Sequence, residues 1–144
     1  MSYSNFHSHT TFCDGTETAE GMTLAAIAKG CRALGFSGHA HTEFEVSMSP
    51  ADTAAYKAEL RRLQAAYAGR IELYLGVEQD YFSDLPTEDY DFVIGSVHTL
   101  HMPGGDVFAD GDAAHQTEAV MRFYGGDWYA FAEDYYALEA RVAR

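Results

Sequence analysis

Two histidines, His7 and His9, flank a single serine, and Cys13-Asp14-Gly15 follows at once. Alternate residues of a strand point to one face, so imidazoles at i and i+2 can aim at a single cation. The segment Tyr3 to His9 reads as a short strand running into a polar turn. One His-x-His is common by chance, and the weight comes from recurrence. Three further predicted strands end in a potential ligand, His39, then Glu78, then His98. Asp14 falls in the first of the loops that follow such strand ends. Imidazole and carboxylate groups without paired thiolates suit Zn, Mn or Fe(II). A closed structural zinc site uses four ligands, often cysteines, whereas this surplus of nitrogen and oxygen points to two or three divalent ions with open positions. Such ions polarise an oxyanion and bring the pKa of a bound water down to about 7.

Other polar residues read more plainly. Cys13 lies beside the proposed site and can reach a metal, but a small apolar residue next to a turn is the simpler reading. His41 reads as a loop histidine. His101, three residues past His98 in an expected loop, is a candidate substrate contact. His115 reads as surface, and Asp80, Asp89 and Asp91 as solvating charges that flank strands.

The elements that must position these groups follow from pattern. Thr16-Glu17-Thr18 offers caps for a helix from about Ala19 to Cys31, with Leu24, Ile27, Ala28 and Cys31 as its apolar stripe. Leu34 to Gly38 reads as a buried strand that delivers His39. Ser49-Pro50-Ala51-Asp52 opens a second helix with Ser at the cap and Pro at its first position. Tyr56, Leu60, Leu63 and Tyr67 form its buried stripe, and Gly69 its stop. Ile71, Leu73, Leu75 and Val77 alternate as a strand that ends at Glu78, and Phe92 to Val97 is an apolar strand that ends at His98. Pro103 to Asp106 is a turn, about Ala113 to Tyr124 a helix, and Asp127 caps a last helix with the stripe Trp128, Phe131, Tyr135, Leu138 and Val142. Strands alternating with helices imply a parallel sheet with helices packed on it, with all strand ends on one side. Sites in such folds lie at the carboxyl ends of the strands.

Composition bounds the function classes. The 144 residues are one domain's worth, 47% hydrophobic and 14% aromatic, which suits a packed globule. The formal charge is −13, and the lysines are Lys29 and Lys57 alone. Nucleic-acid affinity comes from basic residues that displace counterions, so the surface speaks against DNA or RNA, and equally against anionic membranes. No apolar run approaches the length of about 20 that crosses a bilayer. Two cysteines are too few for a disulfide scaffold, and the first residues lack a signal peptide's regions, so a reduced, cytoplasmic setting is expected.

With these residues in view the chain resembles the PHP family, named for polymerase and histidinol phosphatase. The likeness rests on Asn5-Phe6-His7-Ser8-His9-Thr10 with Asp14-Gly15, on Gly35-Phe36-Ser37-Gly38-His39-Ala40, on Gly76-Val77-Glu78 and on Ile94-Gly95-Ser96-Val97-His98. Tyr67-Ala68-Gly69-Arg70-Ile71-Glu72 and Gly125-Gly126-Asp127 look like the histidinol-phosphate phosphatase branch. The resemblance implies an α/β fold, the N-terminal part of a distorted (β/α)7 PHP-type barrel, with residues 1–144 as a single PHP domain truncated at its C-terminal side. It implies that His7 and His9 hold one metal with Glu78, that Glu78 bridges to a second bound by His98, and that Asp14 and His39 hold a third. The implied reaction is hydrolysis of L-histidinol phosphate to L-histidinol in histidine biosynthesis, with a metal-bound hydroxide as nucleophile and a small phosphorylated substrate as the partner.

The chain departs from the family in length. The barrel has about seven strand-helix units, whereas this sequence supplies roughly four strands and lacks the family's later histidine and aspartate ligands. The expectation is therefore of half a site, with open sheet edges that favour self-association. Two other readings stand beside the phosphatase. One is a PHP-type nuclease or nucleotide phosphoesterase, which the acidic surface disfavours. The other is a catalytically inactive interaction module. Amidohydrolases also begin with His-x-His but commonly bridge their metals with a carbamylated lysine, and no lysine follows Lys57; Glu78 fills that place.

Overall fold

The computed structural model describes residues 3–43 and 46–142. They divide into two compact units, Met1–Gln79 with Ser83–Ile94, and Asp80–Phe82 with Gly95–Arg144. In the first unit β1 (Tyr3–Asn5), α1 (Ala19–Ala28), β2 (Cys31–Phe36), α2 (Pro50–Ala66) and β3 (Glu72–Asp80) follow one another, and β4 (Phe92–Ser96) leads into the second. The sheet order is β1-β2-β3-β4, with β1 parallel to β2 and β2 parallel to β3. Asp91 N–H donates to Leu75 O and Tyr81 N–H to Ser96 O, so β3 and β4 also advance in one direction. This is the expected α/β arrangement of parallel strands and crossing helices.

The first core forms where the helices cover one face of the sheet. Leu34 and Phe36 from β2 and Leu73, Leu75 and Val77 from β3 meet Tyr56, Leu60 and Leu63 of α2. All four residues of the anticipated α2 stripe are buried, and Tyr56 donates its hydroxyl proton to Gly76 O at 2.9 Å. The helix starts where the sequence places it. Ser49 accepts from Asp52 N–H while the Asp52 carboxylate accepts from Ser49 N–H, a reciprocal cap that satisfies two otherwise unpaired donors. On the opposite sheet face, a Cβ on Gly76 would stand 2.2 Å from the Phe92 ring, and one on Gly35 2.8 Å from Phe6 and Phe92. Glycine there lets aromatic rings lie directly on the strands.

Several boundaries differ from expectation: β2 ends at Phe36, and β3 runs two residues past Glu78 to Asp80. The first helix ends at Ala28, because Gly30 takes a left-handed conformation (φ 71°), and Cys31 starts β2 instead of ending α1. Its buried face is Ala19, Thr23 and Ala26, while Leu24 is 46% exposed, so the expected stripe had the wrong phase. The first strand stops at Asn5, whose side-chain oxygen accepts the His7 N–H. Ser8 then carries the pairing onward: Ser37 N–H donates to Ser8 O, and the Ser8 hydroxyl donates to Gly35 O at 2.6 Å.

The second unit contains a hairpin that the sequence pattern did not reveal. Its strands, β5 (Thr99–Met102) and β6 (Gly105–Phe108), pair antiparallel around the Pro103-Gly104 turn. Both helices expected here form, α3 (Ala113–Tyr124) capped by Asp112 and α4 (Trp128–Glu139) capped by Asp127. Val97, Leu100, Val107 and Val120 are buried, whereas no residue of α4 is, and Trp128 is exposed.

The α1 and α2 faces can be tested together. Leu60→Ala should cost about 2–5 kcal/mol in denaturant unfolding, as deletion of a fully buried side chain does. Leu24→Ala should stay within about 0.5 kcal/mol of the parent; reversed magnitudes would contradict this packing.

Candidate metal centre

Sheet pairing brings the histidine-rich turn onto the end of β3. Past the end of β2, His39 forms an isolated parallel bridge with Glu78: Glu78 N–H donates to Gly38 O at 3.1 Å and Ala40 N–H to Glu78 O at 2.8 Å. Ser8 is buried between His7 and His9, whose rings therefore share the other side of the extended segment, 5.2 Å apart. The i, i+2 reasoning holds although the regular strand has already ended.

The carboxylate of Glu78 is almost fully buried, and imidazoles converge on one of its oxygens. Glu78 Oε2 lies 3.0 Å from His7 Nε2, 2.9 Å from His9 Nε2 and 3.7 Å from His39 Nδ1. A second carboxylate faces the same histidines, with Asp14 Oδ1 2.7 Å from His9 Nδ1 and Asp14 Oδ2 3.5 Å from His39 Nε2. His7, His9 and Glu78 each offer a ligand atom within 4.8 Å of the others, as do His9, Asp14 and His39. Of the six residues expected as ligands, the first unit thus gathers five.

Electrostatics within the cluster are those of excess negative charge. Cys13 and then Glu78, with Asp14 behind them, push the His9 imidazolium up to about 10 against the lowering effect of burial. Burial raises the Asp14 carboxyl, but hydrogen bonds from His9 and Cys13 outweigh it and hold it below the usual carboxylate range. Burial likewise raises the Cys13 thiol, and the His9 contact brings it net below its ordinary value. Protons on His9 are therefore balancing anions that a cation would balance better.

A divalent metal fits this donor set. His9 Nε2 is buried and lies 2.9 Å from Glu78 Oε2, yet off the direction of a hydrogen bond. A buried polar atom without such a bond calls for a specific explanation. A buried carboxylate ringed by imidazole nitrogens is the arrangement that oxygen- and nitrogen-loving divalent ions use.

His98 belongs to the second unit. Asp80 Oδ2 accepts its main-chain N–H at 2.9 Å and stands 3.3 Å from its Nδ1. Asp80, read from sequence as a solvating charge, is only 3% exposed. Burial raises its carboxyl, and the contacts from His98 and Phe82 reverse that to leave it low. Its signal was the period-two alternation of β3, which puts residues 78 and 80 on one face. Asp91 likewise does more than solvate, accepting from Leu75 N–H and from Arg61.

His101 sits on β5, not in a loop. Its Nδ1 is 2.8 Å from Asp106 Oδ1 and its ring lies 4.4 Å from that of Phe82. His115 is exposed as expected and pairs with Asp112. His41 is half-buried, with a Nδ1 that makes no hydrogen bond. Among the described residues no helix is long and apolar enough to cross a membrane.

Comparison with known proteins adds to this geometry. The family model described as "PHP domain" matches residues 5–143. A Deinococcus radiodurans protein described as a probable histidinol-phosphatase is 30% identical over 151 residues, covering 96% of this chain and 55% of that protein. A crystal structure assigned as a histidinol phosphatase from Listeria monocytogenes superposes with TM-score 0.75 at 25% identity, over 86% of this chain and 55% of that one. A Lactococcus lactis histidinol phosphate phosphatase, crystallised with Zn, L-histidinol and phosphate, gives TM-score 0.54 at 25% identity, over 67% of this chain and 40% of that one. The fold is thus a partial PHP-type α/β barrel, and the chain spans about half the length of the relatives it matches.

Protonation of His9 sets a pH signature for the metal-free chain. Its folded value is raised from 6.5 to about 10, so the stability it contributes is fully present below 6.5 and lost as pH rises through 10. In chelator, the thermal midpoint should fall across that window, and Cys13→Ser should flatten the fall. A midpoint that rises over the same range would contradict the assignment.

Proposed function

The chain belongs to the PHP-domain family, and from that premise we propose that it carries the metal centre, in part or whole, of a phosphomonoester hydrolase. The substrate we assign is L-histidinol phosphate, cleaved to L-histidinol and phosphate within L-histidine biosynthesis. The single observation that carries this reading is the buried Glu78 carboxylate, with His7 Nε2 and His9 Nε2 within 3.0 Å of one oxygen. The substrate is supported by the Deinococcus relative's description and by the ligands of the Lactococcus structure.

Two to three divalent ions, of Zn, Mn or Fe, are the proposed cofactors. His7, His9 and Glu78 would hold one, and Asp14 with His39 another; the family resemblance is the ground for adding His98. Bound cations would neutralise phosphate oxygens and make hydroxide accessible near neutral pH. The chain's own groups prepare that chemistry. Asp14 Oδ1 accepts from His9 Nδ1, which leaves Nε2 directed toward Glu78. The proton that His9 holds in the metal-free state must leave when a cation binds, so affinity should rise with pH. Glu78 supplies a fixed negative charge with little solvent around it, where attraction to a cation is strongest. A net charge of −13 suits a small substrate drawn in by cations and not a polyanion held by basic residues.

The test is phosphate release from L-histidinol phosphate by a protein of full family length that contains this segment. Added Zn or Mn should support turnover, and His9→Ala and Glu78→Ala should each lower kcat/KM by at least about 100-fold, the order that one electrostatic stabiliser is worth. Metal-independent release, or variants as active as the parent, would overturn the proposal.

A further inference from the structure

Asp80 closes β3 two residues after Glu78 and is buried, although nothing in its own strand neutralises it. Its carboxylate is pinned from two sides. Oδ1 accepts the Phe82 main-chain N–H at 2.8 Å, and Oδ2 accepts the His98 main-chain N–H at 2.9 Å. With the group so fixed, Oδ2 also stands 3.3 Å from His98 Nδ1, while the Ser96 hydroxyl is 3.5 Å from the same nitrogen.

At 3.3 Å Asp80 Oδ2 is an ion-pair neighbour of His98 Nδ1 and not its hydrogen-bond acceptor, yet an ionised carboxylate this close still favours a proton on the nitrogen that faces it by charge attraction. A hydroxyl is ambivalent and could donate to Nδ1, which would demand the opposite tautomer. The charged and closer group dominates. We propose that Asp80 is a positioning residue that holds His98 in its Nδ1–H tautomer, which puts the ring's lone pair on Nε2, the atom that would meet a metal. A carboxylate behind a histidine in this way fixes ring orientation and raises ligand basicity. The inference rests on the reading of His98 as a ligand, and it gives a buried aspartate a task besides closing the Asp80–Phe82 turn.

The tautomer can be read without metal, substrate or turnover. In the histidine-labelled chain, with chelator and at about pH 8, above the ordinary imidazole range, long-range proton–nitrogen spectra separate protonated from unprotonated ring nitrogens. His98→Gln identifies the His98 signals. With the pH raised until one ring nitrogen loses its proton, the expected pattern is a protonated Nδ1 and a bare Nε2; a proton on Nε2 with a bare Nδ1 overturns the proposal without any Asp80 variant. Asp80→Asn keeps an oxygen for one of the two main-chain donors, Phe82 N–H, and places its NH2 where Oδ2 stood, facing Nδ1. It should shift His98 toward the Nε2–H form and weaken Zn binding, measured by chelator competition, by about 10–100-fold, with the circular dichroism spectrum retained. Unchanged tautomer and affinity in that variant would leave Asp80 a turn residue only. Because phosphate release is not read, a failed substrate assignment would leave this result intact, and the reverse also holds.

Discussion

One buried carboxylate organises this molecule's candidate chemistry. Removing a charge from water costs several kcal/mol unless partners compensate it, and the imidazoles of His7, His9 and His39 stand within 3.7 Å of one Glu78 oxygen. That placement is not local. It needs β3 in register with the extension of β2 so that His39 lies opposite, and the β1 segment close enough for His7 and His9 to reach across. The hydrophobic layer that α2 buries against β2 and β3 maintains this register. A one-residue slip in β3 would exchange Glu78 for Val77 on the cluster face and bury the carboxylate among leucines.

The ends of the strands are shaped by exceptions to regular structure. Ser8 replaces a ladder residue, its hydroxyl and carbonyl bonding to Gly35 and Ser37, which keeps the chain extended while the histidines project away from the core. Glycines at 35 and 76 admit aromatic rings onto the sheet face below the cluster. Two carboxylates then act on histidines from behind, Asp14 on His9 and Asp80 on His98. Asp14 lies five residues from His9 and Asp80 eighteen from His98, so a local turn in one case and the fold in the other bring a carboxylate to an Nδ1.

Much of this was legible in the sequence where a signal had one physical cause. The Ser49 cap, the Tyr56–Leu60–Leu63–Tyr67 stripe and the α3 boundaries emerge as read, because capping chemistry and helical periodicity act locally. The convergence of His7, His9, Asp14, His39 and Glu78 was foreseen from strand ends that share one side of a parallel sheet. What escaped depended on tertiary context. The phase of α1 was misread because alanines and a threonine, not Leu24, meet the sheet. The β5–β6 hairpin was hidden behind a two-residue Pro-Gly turn between short, half-polar strands, and Asp80 behind the habit of treating terminal aspartates as solvated. The family match runs from 5 to 143, across both compact units.

These side chains are proposed to surround cations and not merely to neutralise one another. Anomalous scattering at the zinc edge from crystals grown with Zn tests it directly. The expected result is a strong peak bounded by His7 Nε2, His9 Nε2 and Glu78 Oε2, lost in Glu78→Gln crystals. Zinc density only on the surface, with those three side chains still bonded to each other, would contradict it.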